Sequence, residues 1–231
     1  MSFHFEHEDA DLQQNVPAEC TPKAGLRVCA VSLGNIGANC YLLTDEASGD
    51  CAVIDPGFSG KRLDRLAESA PPQNIKLIIL THRHFDHILG VASLKQQTGA
   101  QVAIHHLDAP ALTDPQLSLS RLVGKQQPVD PDILLCDGDV LPLGSLTLQI
   151  LHTPGHTEGG ICILCGDALF TGDTLFLGDI GRTDLPTGDY SALLDSIAKL
   201  GRLPGNLTVY PGHGPQTTLE HERKFNQYMK L

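Results

Sequence analysis

THRHFDH, residues 81–87, sets three histidines and an aspartate behind a threonine. The chain of 231 residues holds 11 histidines, so this heptad concentrates them. Imidazole fills a core poorly, because each buried ring nitrogen needs a hydrogen-bond partner. A cluster this dense calls for solvent or for a metal, and its flanks decide which. It follows directly on IKLIIL, residues 75–80, which reads as a buried strand. In extended backbone, residues two apart point the same way. His82 and His84 can therefore reach one point together. Asp86 and His87 come where the chain turns into a helix, and they suit a second point nearby.

Three later segments share one local shape, a β-rich run that ends in a Gly- or Pro-rich turn carrying His or Asp. LQILHTPGHTEGG offers His156, ALFTGDTLF offers Asp173 and LTVYPGHGP offers His213. Loops at strand ends are where side chains from distant segments can converge. Five histidines and two aspartates are more donors than one tetrahedral ion needs. They suit two ions that share a carboxylate bridge. No cysteine stands among them, which favours an open catalytic site over a closed structural zinc site. His105, His106, His152 and His221 are read as ordinary surface or structural histidines, with His152 touching the site from behind. His4 and His7 belong to an exposed tail.

Around these turns, strands and helices alternate. LRVCAVSL, CYLLTD and CAVIDPG read as strands, and KRLDRLAESA as an amphipathic helix stopped by Pro71 and Pro72. ILGVASLKQQTG reads as a helix closed by Gly99, followed by the strand QVAIH and an irregular stretch, 107–131, near the site mouth. A second set of strands comes next, ILLCDGD, LTLQILHT, GICILCG and ALFTGD. YSALLDSIAKLG is a helix, LTVYPG a strand, and LEHERKFNQYMKL a closing helix. The pattern predicts a layered α/β protein with two packed sheets and helices outside. Residues 1–25 are polar and read as a loosely docked extension, leaving 26–231 as the functional domain.

The formal charge of −11 and the lack of a basic run argue against nucleic acid as partner. No apolar stretch approaches a membrane span, and MSFHFEHEDADLQQ has neither a secretory nor a transit pattern. Seven cysteines, most inside apolar runs, read as small buried hydrophobes in a reducing, cytoplasmic compartment. These include Cys29, Cys40, Cys51, Cys136 and Cys162, while Cys20 sits in the polar tail. Cys162 and Cys165 have redox-motif spacing, but in a strand a separation of three points them to opposite faces.

THRHFDH, HTPGHT, FTGDTLF and PGHG, in this order, resemble the metallo-β-lactamase superfamily, over nearly all of residues 26–231. The resemblance implies a four-layer αββα sandwich. TGDTLF followed by IGRTDLPTGD, with NCYLL and VYPGHGPQTTLEHE, is similar to the glyoxalase II-like branch, the hydroxyacylglutathione hydrolases. It implies that His82, His84 and His156 hold one divalent ion, that Asp86, His87 and His213 hold a second, and that Asp173 bridges them. Zinc is the expected metal, with iron or manganese as alternatives. The implied reaction is attack of a metal-bridging hydroxide on a thioester such as S-lactoylglutathione, with Asp86 also orienting the hydroxide. Arg182 and Asp184, in the GRTD stretch, are expected to shape their loop. The larger enzymes of that branch carry a C-terminal helical domain for glutathione. Here about 18 residues follow His213, so the chain resembles the short, single-domain type. The same fold also hosts mononuclear iron persulfide dioxygenases, for which His82, His156 and Asp173 would be the triad. A nuclease and a non-catalytic metal-binding module fit the acidic balance and the complete donor set less well.

Overall fold

The computed structural model describes residues 19–23, 25–124 and 126–230. Two sheets form. The first runs in chain order through β1 (Glu19–Lys23), β2 (Leu26–Leu33), β3 (Ala38–Asp45), β4 (Cys51–Ile54), β5 (Ile75–Leu80), β6 (Gln101–His105) and β7 (Ile133–Leu135). It is antiparallel up to β4 and parallel from β4 to β7. The second contains β8 (Val140–Leu143), β9 (Leu146–His152), β10 (Ile161–Cys165) and β11 (Ala168–Gly172). A two-stranded ribbon, β12 (Leu175–Phe176) and β13 (Asp179–Ile180), leaves it before β14 (Thr208–Pro211) and β15 (Thr217–Thr218) complete the order β15-β14-β11-β10-β9-β8.

Helices cover both outer faces. α1 (Lys61–Ala67), α2 (Phe85–Ile88) and α3 (Val91–Thr98) belong to the first half, α4 (Tyr190–Gly201) and α5 (Leu219–Phe225) to the second. The period of two along each strand assigns side chains to layers. In β5, Leu77 and Ile79 enter the core between the sheets, while Ile78 and Leu80 pack with Leu63 of α1 and Leu94 of α3. In β10, Cys165 lies between the sheets and Cys162 lies under Leu193, Ile197 and Leu200 of α4. The CILC pair therefore points to opposite faces. Those α4 positions form the apolar stripe of a surface helix, and the Asp189 side chain caps its start by accepting from Ala192 N–H at 3.0 Å. The result is the αββα sandwich.

Four local expectations change. Residues 19–23, expected within the loose extension, pair with β2 as an edge strand. Residues 1–18, with His4 and His7, lie outside the described residues. Cys29 is not a free thiol. Cys20 and Cys29 face each other in register across β1 and β2, with Cα atoms 4.0 Å apart, and are joined in a disulfide. Cys40, Cys51 and Cys162 are free and buried, and Cys136 is free and exposed.

The helix expected from Ile88 to Gly99 is broken between α2 and α3, where Gly90 N–H donates to Pro56 O at 2.8 Å. The closing helix stops at Phe225. Asn226 turns extended, caps the next turn through Tyr228 N–H, and is anchored by Glu222. Among the described residues, no helix is long and apolar enough to cross a membrane.

Candidate metal centre

The donors gather where β5, β9, β11 and β14 end. His82 and His84 leave β5, and Asp86 and His87 open α2. His156 follows β9, Asp173 follows β11, and His213 follows β14. The donor atoms of His82, His84 and His156 lie within 4.8 Å of one another, as do those of Asp86, His87 and His213. Asp173 stands between the two groups. Its Oδ2 is 3.5 Å from His156 Nε2 and 3.6 Å from His213 Nε2, and its Oδ1 is 3.5 Å from His87 Nε2. All seven donors picked from the sequence are in this cluster.

Supporting bonds decide which nitrogen of three of the rings faces inward. His156 Nδ1 donates to the Arg182 carbonyl at 2.8 Å, which leaves Nε2 as a lone pair. His87 Nδ1 donates to Asp55 Oδ2 at 2.9 Å, which turns its Nε2 toward the centre. The Thr81 hydroxyl spends its hydrogen on Asp55 Oδ2 at 2.6 Å, so it accepts from His82 Nδ1 at 3.1 Å. Three Nε2 atoms are thus aimed at the centre by bonds on the far side of those rings, the arrangement expected of metal-ligating histidines. His82 Nε2 and Asp173 Oδ1 are buried with no hydrogen-bond partner. His84 Nδ1 lies 2.8 Å from His156 Nε2, close enough to share one proton or one cation. Orphaned buried acceptors beside paired carboxylates are what a cation satisfies, so the donor set fits divalent metal.

Electrostatics separate the two groups. Burial, with neighbouring imidazoles, holds His82 well below its ordinary value and His84 down to about 3. Burial also acts on His87, but the carboxylates of Asp173, Asp86 and Asp55 outweigh it and raise the ring to about 10. Burial opposes ionisation of Asp86, yet His87 and His213 hold its carboxyl well below the ordinary range.

Asp55 is the supporting residue that sequence reasoning missed. Besides His87, it accepts from Thr81 N–H at 2.8 Å. It also lies within 4.8 Å of donor atoms of His82 and His87, but its oxygens are already engaged. Its backbone is left-handed, φ 51°. The signal was an aspartate ending a strand before Pro56–Gly57, in VIDPG. Gly57 has no room for a side chain, because a Cβ there would strike the Asp86 carbonyl. Gly212 is similar, since a Cβ would strike Asp173 Oδ1 beside His87. Arg182 contributes its carbonyl to His156, while its side chain forms an exposed ion pair with Asp184 at 2.6 Å.

Among the described residues, the remaining histidines stay outside the donor groups. His152 stacks on His105, with ring centroids 4.2 Å apart, and bonds the Glu158 carbonyl, while His106 packs on His105 and His221 on Phe225.

Residues 33–213 match the family model described as the metallo-beta-lactamase superfamily. The hydroxyacylglutathione hydrolase GloC of Haemophilus influenzae is 36% identical over 200 residues, covering 83% of this chain and 92% of GloC. Among solved structures, BLEG-1 B3 metallo-beta-lactamase has a TM-score of 0.77 at 34% identity, covering 88% of this chain and 100% of that one. TTHA1623 in a di-iron-bound form has a TM-score of 0.75 at 33% identity, with coverages of 86% and 98%. ETHE1 from Myxococcus xanthus has a TM-score of 0.70 at 30% identity, with coverages of 86% and 82%.

Proposed function

This chain belongs to the metallo-beta-lactamase superfamily, and from that premise we propose that it is a metallo-hydrolase that cleaves a small thioester, of the S-lactoylglutathione type, at a two-metal centre. The observation that carries the reading is the finish of the second donor set. His87 is fully buried, aimed by Asp55, and flanked by Asp86, His213 and Asp173. A mononuclear oxygenase needs only a triad and has no ligand role for these groups. The similarity to GloC and to a di-iron-bound structure supports the same reading.

His82, His84 and His156 would hold one ion and Asp86, His87 and His213 the other, with Asp173 shared. Bound divalent ions, zinc or in its place iron or manganese, supply a water-derived nucleophile at neutral pH and polarise the scissile carbonyl. Asp86 stays ionised and can accept a hydrogen from the attacking group, which orients it. A thiolate leaves without a strong general acid, so the site needs no dedicated proton donor.

The similarity to ETHE1 favours a second reading, oxidation of a persulfide at a single iron held by His82, His156 and Asp173. One assay run in arms separates the two. Metal-analysed protein is given S-lactoylglutathione under argon, and glutathione persulfide under air with oxygen uptake recorded. A cephalosporin forms a third arm. Anaerobic thioester cleavage is expected. Oxygen uptake without thioester cleavage overturns the hydrolase reading, and cleavage of the cephalosporin alone moves the substrate to β-lactams.

A further inference from the structure

Arg83 sits between two of the donors, and its side chain is turned away from them and buried, 3% exposed. It reaches Asp108, which is fully buried. Asp108 comes from the turn after β6 and takes up three donors from two other loops. Its Oδ2 accepts from Arg83 N–H at 3.1 Å and from the Thr157 hydroxyl at 2.6 Å, and its Oδ1 accepts from Gly159 N–H at 3.2 Å. The Arg83 guanidinium then spans outward. It bonds Glu158 Oε1 at 3.2 Å, the Pro186 carbonyl at 3.0 Å and the Thr187 hydroxyl at 2.6 Å. Its Nε lies 3.8 Å from Asp108 Oδ1, without a hydrogen bond.

Every partner in this node is a near neighbour of the first donor group or of its support. Arg83 separates His82 from His84. Thr157, Glu158 and Gly159 follow His156. Pro186 and Thr187 lie in the loop whose Arg182 carbonyl orients His156. The three histidines come from loops 72 residues apart in sequence. No strand ladder joins His84 directly to His156, so their spacing depends on what ties the loops together. None of the node's bonds reaches Asp86, His87 or His213, whose group is braced by Asp55 instead.

We propose that Arg83 and Asp108 are positioning residues that set the geometry of one donor group, His82, His84 and His156, and leave the other unaffected. This rests on the two-ion reading above. A buried carboxylate that accepts from both loops fixes the gap between His84 and His156. Its loss lets the two loops move apart while the rings themselves remain.

The test uses cobalt(II) as the probe, because its electronic spectrum reports ligand geometry. Asp108→Asn and Thr157→Val are each placed in two backgrounds. His213→Ala leaves the first group intact, and His84→Ala leaves the second. In the His213→Ala background, both substitutions should weaken cobalt binding by about 10- to 100-fold and alter the visible spectrum, the range seen when outer support of a ligand is removed. Thr157→Ser, which keeps the hydroxyl, should restore wild-type affinity. In the His84→Ala background, affinity should change less than about twofold. Thr157→Val removes a single hydrogen bond, so it serves if Asp108→Asn does not fold. Unchanged affinity and spectrum in the His213→Ala background overturn the positioning role. Equal losses in both backgrounds also overturn it, by showing a general structural role. Wild-type protein that takes up no cobalt at all overturns the two-ion reading itself, and the proposal with it.

Discussion

At the scale of single residues, the centre works through bonds made on the far side of three ligand rings, those of His82, His87 and His156. Asp55 is the clearest case, since one carboxylate orients His87 directly and His82 through Thr81. Asp55→Ala should lower the second group's metal affinity by about 10- to 100-fold, read as metal retained after dialysis against a weak chelator. His87→Ala should remove mainly one ion and His82→Ala mainly the other, with the same readout. A single retained ion that touches neither Asp86, His87 nor His213 in the wild type would defeat the dinuclear reading. Protons give a third check. A ring raised to about 10 carries a proton at neutral pH in the metal-free protein. A metal must displace that proton, so uptake by the second group should strengthen as pH rises toward 10 and release at least about one proton per ion at pH 8. The first group, with His84 down at about 3, should bind without that release. An indicator-dye titration of the His84→Ala and His213→Ala variants distinguishes them.

At the scale of elements, the two sheets are joined by a packed aromatic group and by a polar clasp. Phe170 of β11 is fully buried, stacked on Tyr210 at 4.9 Å and edge-on to Tyr41 at 5.3 Å. Phe170→Ala should cost about 3–5 kcal/mol, from lost burial plus the cavity, measured by urea unfolding of the metal-free protein. The clasp is Asp45, at the end of β3. It accepts from Ser145 N–H at 2.7 Å in the β8–β9 turn and from the Ser48 hydroxyl at 2.7 Å. Hydrogen bonds from Ser145 and Ser48 hold its carboxyl well below the ordinary range. A lowered carboxyl stabilises the fold above its unfolded value of about 3.9 and loses that contribution as pH falls below it. Asp45→Asn should therefore lower the melting temperature at pH 7, and the gap from wild type should close as pH drops below about 4. A gap that stays constant down to pH 3 would mean that the clasp works through shape and not charge.

At the scale of the whole molecule, the sandwich brings strand ends from both sheets to one rim. β5 supplies His82 and His84 from the first sheet, and β9, β11 and β14 supply His156, Asp173 and His213 from the second. The sheets also meet in backbone there, where Ala38 bridges His213 and Asn39 N–H donates to Gly212 O at 2.7 Å. The disulfide acts at the opposite extreme, within one sheet. It closes β1 onto β2 over a separation of nine residues. Cys20→Ser should lower stability by up to about 2–3 kcal/mol, the loop-closure estimate for so short a ring, and leave metal content unchanged. Loss of metal in Cys20→Ser would tie the edge strand to the site.

Much of this was legible in one dimension. Ligand residues are close-spaced donors on stereotyped turns, and HxHxDH and GHG announce themselves because few structural roles explain them. Strand and helix assignment followed from periods of two and of 3.6, which local backbone geometry imposes on any chain. That Cys162 and Cys165 point to opposite faces followed from the same parity, while the layer each enters came from the packing. What only the folded molecule decided is whatever depends on pairing between distant segments. Asp55 became a support because Pro56 and Gly57 pack against α2. Cys20 found Cys29 because β1 adds to the sheet edge in register, although its sequence looked like tail. Arg83 and Asp108 became a node because the turn after β6 lies beside the loop after β9. The helix after His87 broke at Gly90 because its backbone amide had a better partner in Pro56 than in its own turn. Local chemistry is written in neighbouring residues, but a hydrogen bond between loops exists only once the sheets have set the distance between them.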